Sequence, residues 1–118
     1  MTDTDDLAWS EDNGVGVVTL NRPRARNALT FAMYEAIRDI CERAAGNEAL
    51  RAVIITGSGD KAFAAGTDIS SFRDFSKPQD ALDYEARVDK VLAALEAVPV
   101  PTIAAISGAC TGGGAAIA

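Results

Sequence analysis

Histidine does not occur anywhere in the 118 residues. Its absence removes a Ser-His-Asp or Cys-His nucleophilic site, and any histidine-ligated zinc, from this segment. Cysteine occurs only twice, as Cys41 and Cys110. Two thiols do not make a disulfide framework, and alone they make a poor metal site, so no metal and no bound cofactor is expected. Reduced thiols fit a cytoplasmic location. Positive charge is also scarce: eleven Lys and Arg stand against seventeen Asp and Glu, a net charge of −6. Nucleic-acid binding rests on neutralising phosphates, so no nucleic-acid partner is expected. No apolar run reaches the roughly 18 residues that span a bilayer. The start, Met1-Thr2-Asp3-Thr4-Asp5-Asp6, is acidic and unlike a secretory or transit signal. A membrane partner is therefore not expected either. Whatever chemistry the segment supports must use carboxylates, hydroxyls or the backbone.

Apolar residues make up 48% of the chain, enough for the core of one domain. Ala115-Ala116-Ile117-Ala118, after three glycines, reads as the first turn of a helix without a closing cap. One turn cannot stabilise itself. The expectation is that residues 1–118 are the N-terminal portion of a single, incomplete domain.

Two short apolar segments, 7–11 and 15–21, flank Asp12-Asn13-Gly14, and Asn-Gly is a strong hairpin signal. Val15, Val17 and Thr19 fall on one face, and Gly16, Val18 and Leu20 on the other. Thr30 offers an N-cap to a helix whose Tyr34, Ile37, Cys41 and Ala44 recur at helical spacing, with Phe31 and Ile40 alongside. Asp39 and Arg43 add an i,i+4 pair, and Gly46 supplies a stop. Ala52-Val53-Ile54-Ile55-Thr56 reads as a buried strand, followed by a loop over 60–75. A second helix begins at Pro78, with an apolar stripe of Ala81, Tyr84, Val88, Val91, Leu95 and Val98 flanked by Leu82 and Leu92. Thr102-Ile103-Ala104-Ala105-Ile106-Ser107 reads as another buried strand. The unit of strand, glycine loop and helix thus occurs twice, at a period of roughly 50 residues. This is an α/β chain with successive strands side by side and helices outside.

Gly57-Ser58-Gly59-Asp60-Lys61-Ala62 formally fits a dinucleotide fingerprint after a strand. It does not open a helix directly, and no second strand ending in an acidic residue follows at the right distance, which argues against nicotinamide. No Gly-Lys-Ser/Thr triplet exists for a P-loop. Gly112-Gly113-Gly114, at an apparent helix start, offers free amides that a ligand can approach closely. By itself the triplet fits an oxyanion site and a tight packing point equally well. The loop at 63–68 tips the balance, because Ala65-Gly66 adds small side chains and free amides after a neighbouring strand. Two loops would then aim two backbone donors at one oxygen, as a thioester carbonyl becoming an enolate, or a tetrahedral anion, requires.

These segments, in this order, resemble the crotonase, or enoyl-CoA hydratase/isomerase, superfamily: Asn27-Ala28-Leu29, Ile55-Thr56-Gly57-Ser58-Gly59, Lys61-Ala62-Phe63-Ala64-Ala65-Gly66-Thr67-Asp68-Ile69, and Pro101-Thr102-Ile103-Ala104-Ala105-Ile106-Ser107-Gly108 with Gly112-Gly113-Gly114. The resemblance runs from about Val15 to Ala118. It implies a spiral of repeated ββα turns, cut after the start of the helix that follows Gly112–Gly114. It implies an acyl-CoA thioester substrate and a homotrimer or hexamer. The oxyanion-hole amides would be those of Ala65 and Gly113. Ala65, Gly66, Thr67 and Asp68 would line the substrate, with backbone around Ala64 and Ile69 near the adenine and Ala28 beside them. Of Arg22, Arg24 and Arg26, Arg24 is the one expected near the CoA phosphates.

One departure narrows the activity. Hydratases of the family carry a catalytic glutamate two residues after the glycine triplet, and here that position is Ala116. Hydration requires a proton to be moved. An isomerase, hydrolase or decarboxylase remains open, as does a non-catalytic CoA-binding or assembly module of the same fold. Asp74, Asp80 and Asp83 read as solvated or capping residues, and Cys110, Trp9 and Tyr84 as packing residues.

Overall fold

The structure is a computed structural model and describes residues 5–118. Residues 1–4 of the acidic start lie outside it. β1 (Leu7–Asp12) and β2 (Val15–Leu20) form the expected antiparallel hairpin. Asn13 and Gly14 have φ of 52° and 82°, the paired positive values that a two-residue I′ turn demands. Alternation along β2 buries Gly16, Val18 and Leu20. Gly16 is bare because the Trp9 ring of β1 covers it, and a Cβ there would overlap the indole.

α1 (Phe31–Ala44) starts where Thr30 caps it, its hydroxyl accepting the Met33 N–H at 3.1 Å. Its buried face carries Met33, Tyr34, Ile37, Ile40, Cys41 and Ala44. Burying an aliphatic side chain of this size stabilises by about 1.5–3 kcal/mol. Asp39 and Arg43 pair at 3.4 Å as expected. β3 (Ala52–Gly57) runs parallel to β2, and Val53 and Ile55 join the same core. β4 (Ala62–Ala64) leads to α2 (Pro78–Glu96), which begins on Pro78 and packs against α1. β5 (Thr102–Ala105) is parallel to β3, so the main sheet has the order β1-β2-β3-β5. β6 (Ala109–Cys110) pairs with β4 in a second, parallel sheet, and α3 (Gly113–Ile117) closes the described chain. The succession β3-β4-α2 followed by β5-β6-α3 is the repeated ββα turn.

The structure corrects several sequence-based expectations. The stretch 60–75 is not one loop: it contains β4 and a 3-10 turn, Ile69–Phe72. Thr102–Ala105 is not a buried strand, since it forms the edge of the four-stranded sheet and leaves Ile103 52% exposed. Ala81 and Leu82 are exposed, because α2 reaches the core only from Val88 onward. α1 does stop before Gly46 as expected, ending at Ala44 with a right-handed helical cap residue, Ala45, and with Gly46 N–H donating to Arg43 O.

Candidate functional site

The two glycine-rich loops follow β4 and β6, and the parallel pairing of those strands brings them together. Thr111 N–H donates to Ala64 O at 3.2 Å. Gly66, with φ of 107°, faces Gly112, with φ of 54°, and a Cβ on Gly112 would lie 3.5 Å from the Gly66 Cα. Both residues occupy backbone space that favours glycine, and the contact between them is backbone on backbone. Gly114 rests on Ala64, where any Cβ would run into the Ala64 carbonyl.

Gly113 opens α3 and is partly exposed, so its N–H has no acceptor within the helix. The next amides turn inward, Gly114 and Ala115 both donating to Thr111 O. With five residues, α3 adds little dipole, and any pull on an anion rests on the individual N–H groups. Ala65 is differently placed. It is partly exposed, but its N–H donates to Arg26 O at 3.1 Å. Of the two amides expected to face a substrate oxygen, that of Gly113 is open and that of Ala65 is engaged.

The Arg26 carbonyl reaches Ala65 through an unusual backbone. Arg26 and Asn27 are consecutive left-handed residues, with φ of 52° and 56°. That conformation costs an L-residue about 1–2 kcal/mol. Asn27 holds it in place. Its side chain is fully buried and bonded at both polar atoms, with Nδ2 donating to Ser58 O at 3.1 Å and Ala62 O at 2.8 Å, and Oδ1 accepting Arg22 N–H at 2.9 Å.

Ala28 and Leu29 run alongside the first glycine loop, Leu29 N–H donating to Gly66 O and Asp68 N–H to Leu29 O. Arg22 spans the same junction, donating to Ala28 O at 2.7 Å and pairing with Asp68 Oδ2 at 2.9 Å. The Asp68 Oδ1 accepts both the amide and the hydroxyl of Ser70. These Ser70 bonds, and then Arg22, hold the Asp68 carboxyl down to about 2. The Asp68 carboxylate is thus consumed in shaping the loop. Ile69 is 83% exposed at its rim. Arg24 and Arg26 are exposed and line a groove with Lys61, over Asn27, Ser58 and Gly59. Ala116 is exposed and brings no polar side chain. Asp80 accepts the Ser76 and Lys77 amides at the start of α2, so it caps the helix, as expected.

The structure adds residues that sequence reasoning passed over. Thr67 Oγ1 lies 2.7 Å from Tyr34 Oη and 2.6 Å from Tyr84 Oη. Tyr34 was legible only as part of the buried stripe of α1, and Tyr84 only as packing. Helical spacing reports which face a ring occupies, and says nothing of where its hydroxyl ends. Gly113 sits against this cluster, and a side chain there would collide with Tyr34 Oη.

A sequence profile described as enoyl-CoA hydratase/isomerase matches residues 10–118. The chain belongs to the enoyl-CoA hydratase/isomerase family. It is 35% identical over 114 residues to the crotonyl-CoA hydratase of Syntrophomonas wolfei, covering 97% of this chain and 44% of that one. It is 35% identical over 108 residues to the short-chain-enoyl-CoA hydratase of Clostridium acetobutylicum, covering 92% and 41%. Among solved structures, an enoyl-CoA hydratase/carnithine racemase from Magnetospirillum magneticum superposes with a TM-score of 0.88 at 35% identity, over 95% of this chain and 42% of that one. The fold is therefore the crotonase fold. The chain spans less than half the length of these relatives. Among the described residues, no helix is long and apolar enough to cross a membrane.

Proposed function

We propose that this chain contributes the thioester-binding half of an acyl-CoA-processing enzyme that stabilises an enolate or oxyanion with backbone amides. The observation that carries the reading is the contact of the two glycine loops, Gly66 against Gly112, beside the open amide of Gly113. In this reading the thioester oxygen takes the Gly113 N–H, and the Ala65 N–H is shared between that oxygen and Arg26 O as a three-centre bond. Ala64, Gly66, Thr67, Asp68 and Ile69 border the substrate, with Ala28 beside them, and Arg24 at the basic groove meets the CoA phosphates. No cofactor beyond the substrate's own CoA is needed for this chemistry. The intact protein would be a cytoplasmic homotrimer or hexamer.

Ala116 favours a second reading of the reaction. The position offers no carboxylate for moving a proton, so an isomerase, hydrolase or decarboxylase step suits the site better than hydration. A non-catalytic CoA-binding module would lack turnover altogether. Calorimetry with crotonyl-CoA, run beside hydratase, isomerase, hydrolase and decarboxylase assays, separates these: binding with no turnover in any of the four identifies the module.

The amide itself is tested by comparing Gly113→Pro with Gly113→Ala in the intact protein. Both variants bring a Cβ toward Tyr34, but only proline removes the N–H. Loss of an oxyanion donor should lower kcat by a further factor of about 100 or more in the proline variant. Equal turnover in the two variants, both folded, would remove Gly113 from the role.

A further inference from the structure

Thr67 occupies an unusual position among the hydroxyl groups of this protein. It comes from the first glycine loop, is partly exposed, and has two tyrosine hydroxyls within hydrogen-bond distance, one from α1 and one from α2. Tyr34 is 1% exposed, and Tyr84 is half-buried. A threonine hydroxyl has one proton and two lone pairs. A phenol is the stronger acid and the stronger donor. Either oxygen of each pair can donate; in the arrangement where both phenols donate, the two lone pairs of Thr67 are filled and its single proton is left for a third partner. Among the described residues no other hydrogen bond of Thr67 Oγ1 is found. Gly113 is its backbone neighbour: a Cβ built on Gly113 would sit 3.4 Å from Thr67 Oγ1 and run into Tyr34 Oη.

We propose that Thr67 Oγ1–H is a third, side-chain donor to the substrate oxygen beside the Gly113 amide, with Tyr34 and Tyr84 as positioning residues that set the direction of its proton. The inference rests on the acyl-CoA reading above and deepens it. It explains why two polar hydroxyls from different helices converge on one loop residue. Burial pushes Tyr34 up to about 12, so it stays a neutral phenol, able to donate, across the neutral range. The outer end of the cluster is bordered by Asp80, Asp83 and Arg87, which line the same small pocket as Tyr84, and Glu35 pairs with Arg87 at 3.7 Å. In the arrangement where both phenols donate, the Thr67 donor is polarised and fixed before substrate arrives, which is the condition for stabilising charge as it develops.

The test uses the intact protein with crotonyl-CoA carrying a 13C label at the thioester carbonyl. The readouts are turnover, calorimetric affinity and the carbonyl stretch of the bound ligand. Thr67→Val keeps the shape and removes the hydroxyl. It should lower kcat by about 100-fold, with KM little changed, and shift the carbonyl stretch toward that of the free thioester. Thr67→Ser should restore both. Tyr34→Phe and Tyr84→Phe leave Thr67 in place and free its direction, so each should give a smaller loss and a partial shift; they also decide the matter if the valine variant does not fold. A bound carbonyl stretch and turnover unchanged in Thr67→Val, or in both phenylalanine variants, would overturn the donor role while leaving the acyl-CoA reading intact. Absence of crotonyl-CoA binding to the unsubstituted protein would overturn the acyl-CoA reading itself, and the donor role with it.

Discussion

Among the described residues, Asn27 is the polar side chain buried in the core. It is fully buried, holds three backbone groups, and stands second in a pair of left-handed residues. Its amide side chain tolerates that backbone better than most residues do. Asn27→Ala leaves buried donors and acceptors unpaired and is expected to destabilise the protein by at least about 2 kcal/mol. Chemical denaturation of the intact protein measures this, and a change below 0.5 kcal/mol, roughly the noise of a surface substitution, would contradict it. The residue was readable in the sequence as part of the Asn27-Ala28-Leu29 motif, but its role was not. Its partners, Ser58 and Ala62, become neighbours only once β3 and β4 are in place. The same holds for Tyr34 and Thr67, which share one hydrogen bond across two elements. Gly112 to Gly114 were easier to read, since a run of three glycines has few other purposes than close backbone approach.

Among elements, legibility followed length. α1 and α2 span 14 and 19 residues, long enough for a 3.6-residue period to declare itself. β4 and β6 have three and two residues, too few for any alternation to show. Yet their pairing is what sets the two glycine loops side by side. The junction between the Arg22 segment and the first of those loops carries a pH signature. Asp68 ionises at about 2, below its ordinary value of 3.8, because Ser70 and Arg22 favour the charged form. The carboxylate therefore adds stability above pH about 4, and this is lost as pH falls toward about 2. Asp68→Asn should lower the denaturation midpoint near neutral pH, with the difference from the unsubstituted protein shrinking through that acid window. A difference that stays constant down to pH 2 would show that the charge on Asp68 is not what binds the two segments.

At the largest scale, the described chain is elongated, with extents of 46, 30 and 22 Å, and β5 lies at one end of its main sheet. Ile103 and Ile106 are about half exposed there. An open parallel edge with apolar side chains invites pairing with another chain. A polypeptide of residues 1–118 alone is expected to self-associate and to melt broadly, with a midpoint that depends on concentration. Sedimentation and calorimetry test this, and a monomer with a sharp cooperative melt would refute it. The hairpin at the other end offers a practical consequence. Trp9 is the chain's single tryptophan, and its ring is laid over Gly16 on β1 and β2. Indole emission from this chain therefore reports on the hairpin, whereas the tyrosine absorbance of Tyr34 and Tyr84 reports on the loops. Two spectroscopic channels divide the chain without a label, one following the hairpin and the other the hydroxyl cluster around Thr67.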